Sequence, residues 1–398
     1  MRICSIITSF TSGGAEVLVG NLAERFTVAG HAALVLALSD AATVGNSRQT
    51  EQEMMARMRV CGVRTRSLAL QNRNDWLGGA VALRRAVTAF RPDVIHAHTV
   101  RALPIIALAR LRTPVVLTHH NSRLPFPAWG FRVTDFVVDA YVAISDACAA
   151  QIRRNARRPI RKILNAASTR FRAATPRDAP AANPAILAVG TVSRQKDYET
   201  LVRAARVLAT QLAPRGRRAH VSIAGAGPML GELRAFVDRE GAGDVVALLG
   251  ARSDVDALMR KADIFVNTSL WEGLPIAMIE ATMSGLPIVA TDVAGNREMV
   301  TSGVNGTLVP PSDPAAIAEA LAAMIEDSVA YAALSRESLR SADRFSIESC
   351  TQEHLSLYAT LQAGGRGRSP PTDGAAASGA ERSIRRPAAV PPGEGTRA

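Results

Sequence analysis

The 398-residue chain is too long for one ordinary core and suits two domains of common size. Hydrophobic residues make up 47% but aromatics only 4%, so Leu, Val, Ile and Ala must fill those cores. A formal net charge of +12 points to anionic partners. No basic stretch is interleaved with aromatics and no zinc-finger or RNA-binding pattern appears, so nucleic acid ranks behind phosphate-bearing substrates and anionic membrane surfaces.

The opening "RICSIIT" reads as a short buried strand, with too brief an apolar run for a signal peptide. The loop "SFTSGG" leads into a helix, "AEVLVGNLAERFTVAG", striped by Leu18, Leu22 and Phe26 and placed to end at Gly30. "HAALVLAL" is the next strand; "DVIHAH" and "PVVLTHH" follow, separated by a helix around "LPIIALAR". Residues 174–185, "ATPRDAPAANPA", carry three prolines and read as a linker. The pattern then restarts with strands "AILAVGT", "HVSIAGAG", "DVVALLG", "ADIFVNTS" and "LPIVATD", each followed by a helical segment. Two consecutive doubly wound α/β domains with parallel sheets are the natural reading. From Gly364 onward the chain is mostly Gly, Pro, Ala, Ser and Arg without an aromatic, which predicts a disordered tail. Cys4, Cys61, Cys148 and Cys350 are scattered without a CxxC pair, so neither a disulfide framework nor structural zinc is expected, and a reducing cytosol fits. No uninterrupted run of about 18 apolar residues predicts a membrane span.

In open parallel sheets a ligand sits beyond the carboxyl ends of the strands. Gly13 and Gly14 lie there, between a strand and a helix N-terminus, where backbone amides can approach an anion; a tight turn without a ligand explains them equally well. His96, His98, His119 and His120 could suggest a metal, but no cysteine or acid accompanies them, and a polar contact to a cleft is the better reading for at least one. Asp254-x-Asp256 reads as helix capping. Lys196, one of three lysines in an arginine-rich chain, follows a Gly-ended strand by six residues and can reach a phosphate, with Arg194 beside it. The plainer reading is a surface lysine. In "LWEGLPIAMIEATMSG", Pro275 takes the first helical position and the helix runs to Ser284. Glu272 then precedes the helix and Glu280 lies inside it. They do not share a helix face, but they can line one cleft at two depths with the amides of Gly273 and Leu274 between them. Two solvated surface acids are the alternative.

Taken in order, "GGAE", "DVIHAH", "VGTVSRQKDYETLVRA", "IAGAGP", the E-G-L-P-x4-E segment, "SGLPIVATDVAGNREMV" and "GVNGTLVPPSD" resemble the retaining glycosyltransferase family 4, of GT-B fold, across residues 1 to 363. The resemblance implies two Rossmann-like domains facing across a cleft. An acceptor-side domain would span residues 1–173 and a nucleotide-sugar domain 186–345, with a helix over 346–363 packing back toward the first. It implies transfer with retention and no metal or other cofactor, from a UDP- or GDP-linked sugar to a glycan or lipid-linked acceptor in cell-envelope or exopolysaccharide synthesis. Carried over by position, Glu280 hydrogen-bonds the ribose, Glu272 faces the donor sugar, Lys196 neutralises the diphosphate, Gly14 belongs to the loop closing over it, and His120 lies near the reacting sugar. Thr191 stands where the family usually has arginine, so Lys196 alone or with Arg194 must meet the phosphates. Two other classes stay open: a sugar-nucleotide epimerase, and a sugar-nucleotide-binding protein of weakened activity. The cation-rich "QIRRNARRPIRK", with six cations from Arg153 to Lys162, is either a solvated helix end or a peripheral contact with anionic lipid at the inner face of the cytoplasmic membrane.

Overall fold

The central apolar runs of the first half become strands buried on both faces, and the helical runs between them cross back over the sheet. The computed structural model describes residues 1–72, 74–121 and 129–364; of the tail expected from Gly364 on, Gly364 ends the last helix and the rest lies outside the described residues. The first half runs β1 (Arg2–Ile7), α1 (Gly14–Val28), β2 (Ala32–Ala37), α2 (Arg48–Val60), β3 (Arg64–Ser67), α3 (Trp76–Phe90) and β4 (Val94–Ala97). It continues with α4 (Ala102–Ala109), β5 (Val115–His119), α5 (Gly130–Thr134), β6 (Ala140–Ala143), α6 (Asp146–Arg153) and β7 (Ile160–Lys162). These strands form one parallel sheet in the order β3-β2-β1-β4-β5-β6-β7.

The second half opens with β8 (Ala185–Val189), α7 (Tyr198–Leu212), β9 (His220–Ala224), α8 (Leu230–Arg239), β10 (Val246–Gly250) and α9 (Val255–Lys261). Next come β11 (Ile264–Asn267), α10 (Ile276–Met283), β12 (Ile288–Thr291), α11 (Ala294–Arg297) and β13 (Gly306–Val309). Helices α12 (Pro314–Glu326), α13 (Ser328–Ser341) and α14 (Ile347–Gly364) close the chain. The second parallel sheet has the order β10-β9-β8-β11-β12-β13. Strand order reverses between β1 and β4 and between β8 and β11, and such switch points open crevices at the strands' carboxyl ends.

Helix α14 lies against the first sheet's helix α1. The Phe26 and Tyr358 rings meet edge to face at 6.0 Å, Arg25 pairs with Glu348, and the Tyr358 hydroxyl is 2.6 Å from Nδ1 of buried His96. Three details differ from the sequence reading. The strands at "AYVA" and "IRK" were not anticipated, so the cation-rich stretch begins at the exposed end of α6 and finishes as an edge strand. Pro275 caps α10 from outside, because its ψ of 120° is extended while its carbonyl already accepts from Met278 and Ile279. Asp254 occupies the N-cap of α9 without making the capping bond, since Arg252 takes its carboxylate at 2.6–2.8 Å. Among the described residues no helix is long and apolar enough to cross a membrane.

Candidate functional site

Two segments flank the switch point of the second sheet, one after β8 and one after β11, and hydrogen bonds stitch them together. Residues Arg194–Lys196 form a 3-10 turn. The Thr268 hydroxyl donates to the Lys196 carbonyl at 2.7 Å, Leu270 N–H donates to the Gln195 carbonyl at 2.8 Å, and the Gln195 amide donates to the Trp271 carbonyl at 2.8 Å. This stitching sets the Lys196 ammonium 2.5 Å from Oε1 of Glu272. The Glu272 carboxylate also accepts from the Ser269 hydroxyl at 2.7 Å and the Gln195 amide at 3.3 Å. Gly295 lets the segment after β12 pack beneath: a Cβ there would meet the Gly273 carbonyl oxygen at 2.5 Å.

Lys196, Glu272 and Glu280 line one cavity of about 340 Å3 between the two sheets. Glu280, on the middle of α10, is buried, and burial pushes its carboxyl up to about 8; Arg170 opposes that shift and Asp256 adds to it. At neutral pH this acid is mostly protonated, so it can donate a hydrogen bond as well as accept one. The first sheet supplies the opposite wall with Gly14, Glu16, His120 and Asn165. Glu16 stands in the first turn of α1, and burial pushes its carboxyl up to about 7.

Several contacts join the two walls. The Asn165 amide donates to the Leu274 carbonyl at 2.7 Å. Gly14 meets Ile276, a Cβ at Gly14 standing 3.2 Å from its Cγ1. Gly273 packs on the His120 carbonyl so closely that a Cβ would stand 2.4 Å from its oxygen. At the margin, the Glu298 carboxylate accepts from the backbone N–H groups of Asp146 at 2.9 Å and Ala147 at 3.0 Å. These are free donors at the start of α6, where a negative charge is favoured.

The histidines divide. His96 is fully buried, bonded to Thr118 and Tyr358 at 2.6 Å each, and does not line the cavity. His98 lies on it with ring centroids 4.0 Å apart, and Nδ1 of His98 is 3.0 Å from Nε2 of His120. His119 turns the other way, edge-on to Phe131. Burial pulls His120 down to about 3 and His119 to about 4, with His98 and His96 held well below the usual imidazole range. His120 is therefore neutral at the cavity wall, one of the two facing nitrogens of the His98–His120 pair carrying the hydrogen. Among the described residues no group of three or more His, Cys, Asp or Glu side chains is arranged to hold a metal ion.

Of the residues singled out from sequence, Gly14, His120, Lys196, Glu272, Leu274 and Glu280 line the cavity. Gly13 lies just behind Gly14 and Gly273 just behind Leu274, neither on the lining. Arg194 does not join Lys196: two steps along a three-residue turn send its side chain outward, and it is exposed. The second cation at the cavity is Arg252, with Thr191 also on the lining. Arg252, Glu16 and Asn165 were missed as site residues. The "GGAE" motif contains Glu16, and Asn165 opens "NAAS", which stands where the family has an NGxD turn, but nothing local in the sequence marks Arg252 as facing a cavity.

Two family models match in tandem: Glycosyltransferase Family 4 over residues 12–171 and Glycosyl transferases group 1 over residues 173–342. WcaL of Escherichia coli strain K12, provisionally named a colanic acid biosynthesis glycosyltransferase, is 29% identical over 60% of this chain and 63% of its own length. Alpha-D-kanosaminyltransferase of Streptomyces kanamyceticus is 25% identical over 58% of this chain and 68% of its own. The match to the mannosyltransferase LpsB of Rhizobium meliloti, of lipopolysaccharide core biosynthesis, is 32% identical but spans 33% of this chain and only 38% of that relative. Among solved structures, Anabaena Alr3699/HepE with UDP and glucose superposes with a TM-score of 0.76 at 22% identity, over 91% of this chain and 100% of that one. The pneumococcal O-GlcNAc transferase GtfA with UDP and GlcNAc gives 0.72 at 13% identity, over 90% and 99%. At such identities these structures establish the shared two-domain fold.

Proposed function

Because the chain belongs to the group 1 and family 4 glycosyltransferases, we propose that it moves a sugar from a nucleoside diphosphate donor to a glycan or lipid-linked acceptor in cell-envelope or exopolysaccharide synthesis. The observation that carries this reading is the joining of Lys196, Glu272 and Glu280 around one cavity at the second sheet's switch point. Their chemistries differ in the way a sugar nucleotide requires. An ammonium meets the diphosphate, a carboxylate accepts from sugar hydroxyls, and a largely protonated acid meets the ribose. UDP-bound relatives of the same fold support a UDP-linked donor, with GDP-linked sugars the other candidate.

The reaction breaks the bond from anomeric carbon to diphosphate oxygen and forms a bond to an acceptor hydroxyl oxygen on the same face, retaining configuration. The departing phosphate accepts the acceptor's proton. Lys196, with Arg252 in place of the arginine that Thr191 replaces, stabilises the charge that develops on the leaving group, so no metal is needed. Glu272 pairs with Lys196, so a bound diphosphate competes for the ammonium and leaves Glu272 free to turn toward the sugar. Neutral His120 offers a hydrogen bond from the acceptor-side wall. Contacts between the walls through Asn165, Gly273 and Glu298 keep the cleft shut and exclude water. A thermal-shift screen against UDP-, GDP- and ADP-linked sugars tests the donor assignment without an acceptor. Stabilisation by none of them, or equal stabilisation of Lys196→Met, would remove it.

A further inference from the structure

The histidines of "HAH" and "HH" stand at the carboxyl ends of two adjacent strands. His96 lies in β4 and His98 one step past its end, and residues two apart on a strand share a face. His119 ends β5 and His120 follows it, so these two neighbours turn apart. Strands β4 and β5 pair in the sheet, which brings the His98 and His120 rings together.

The rings then play different parts. His96 has both nitrogens engaged, by Tyr358 and Thr118, and makes a fixed plate whose centroid is 4.0 Å from that of His98. The His98 backbone N–H donates to the Ile6 carbonyl at 2.9 Å, and the residue is only 8% exposed. Main chain and ring of His98 are therefore anchored from inside the first sheet. From that anchor its Nδ1 reaches Nε2 of His120 at 3.0 Å, the ring planes 27° apart. His120 lines the cavity and His98 does not.

Only one hydrogen fits between two facing nitrogens. Burial keeps both rings neutral, so each has a single hydrogen to place. If His98 carries its hydrogen on Nδ1, His120 must carry its own on Nδ1, the nitrogen left for a ligand. If His120 instead carries it on Nε2, that outer nitrogen is bare. The tautomer of His120 is thus tied to that of His98. Ligand chemistry selects between the two. Diphosphate and sugar-ring oxygens only accept hydrogen bonds, while hydroxyls can accept or donate, so an N–H suits every oxygen of a sugar nucleotide.

We propose that His98 is a positioning residue for the transfer: it donates from Nδ1 to Nε2 of His120 and holds that ring with its own Nδ1–H presented to the sugar nucleotide. The inference rests on the transferase reading and adds the group that orients His120. A role in packing alone would need the His98 ring and not its hydrogen.

The test is heteronuclear NMR on the full chain labelled at the histidine nitrogens, free and with a stabilising nucleotide sugar, signals being assigned by H98N and H120N. In the wild type both His98 and His120 carry the hydrogen on Nδ1. H98F keeps an aromatic ring against His96 but has no hydrogen to give; His120 then becomes a mixture of tautomers. The kcat for nucleoside diphosphate release falls about tenfold in H98F, while the nucleotide-sugar Kd changes less than about threefold. In H98N an amide stands where Nδ1 stood, and kcat returns to within about threefold of the wild type. Hydrogens on Nε2 of both rings in the wild type overturn the proposal, and that reading does not require H98F to fold. Undiminished kcat in H98F overturns it too, as does equal loss in H98F and H98N, which would leave His98 a packing role. If no nucleotide sugar is bound or turned over by the wild type while both rings carry the hydrogen on Nδ1, the transferase reading falls and the His98–His120 pairing stands.

Discussion

Replacing Lys196 by Met removes the ammonium and leaves Glu272 with the Ser269 hydroxyl and the Gln195 amide as its remaining donors. The side chains of Lys196 and Glu272 are 15% and 7% exposed, so the pair sits largely out of water. Breaking a fully buried pair from one side costs about 3–5 kcal/mol; with two donors retained and some solvent at Lys196, about 2–3 kcal/mol is the expectation here. In a unit of roughly 200 residues that lowers Tm by roughly 5–10 °C. Thermal denaturation of K196M, E272Q and the double variant measures it. The double variant should recover at least about 1 kcal/mol relative to the sum of the single changes, because the unpaired carboxylate is gone. Additive losses, or single losses under about 0.5 kcal/mol, would refute the idea that Lys196 and Glu272 hold each other's charge across the cavity wall. The same samples read function: a nucleotide sugar at a hundredfold its Kd stabilises the wild type by about 2.7 kcal/mol, and K196M should lose most of that gain.

Glu280 holds its proton up to about pH 8 when folded, against an ordinary value near 4.5, so its contribution to stability falls as pH rises through that window. Glu280→Gln should flatten the stability profile there and weaken nucleotide-sugar binding roughly tenfold by titration calorimetry; a profile unchanged from the wild type contradicts the assignment. Glu298→Ala removes two bonds to α6 amides, and the donor KM should rise about five- to tenfold with little change in Tm; an unaltered KM would show that the contact plays no part in closure. Gly273→Ala places a methyl group within 2.4 Å of the His120 carbonyl oxygen, so turnover should fall by about tenfold or more while circular dichroism stays native. Product configuration by NMR should match that of the donor's anomeric carbon, and inversion would reject same-face attack.

The sheets were legible because β1, β2, β5, β8 and β11 are mostly apolar runs, whose burial needs no partner information. Strands β6 and β7 were not: "AYVA" is short, and "IRK" pairs only through its backbone at the sheet edge. At the site, the Glu272–Glu280 spacing led to the cavity both acids line, because two acids in an apolar segment demand an explanation. Arg194 misled because neighbours in sequence diverge on a tight turn. Arg252 reaches the cavity only through tertiary contacts, and Glu298 finds its partners on α6 in the other half of the fold. Such encounters leave no local trace in a single sequence.

A nucleotide sugar bound on the Lys196–Glu272–Glu280 platform should be turned over. The most direct measurement is release of nucleoside diphosphate from the donor that stabilises the protein, followed with excess chelator, for the wild type and K196M. Slow release by the wild type, a reduction of a hundredfold or more in K196M, and indifference to chelator are predicted, the reduction matching loss of one group that stabilises transition-state charge. Undiminished release by K196M would show that Lys196 does not stabilise the leaving group, and complete loss of wild-type release on adding chelator would show that a metal ion does.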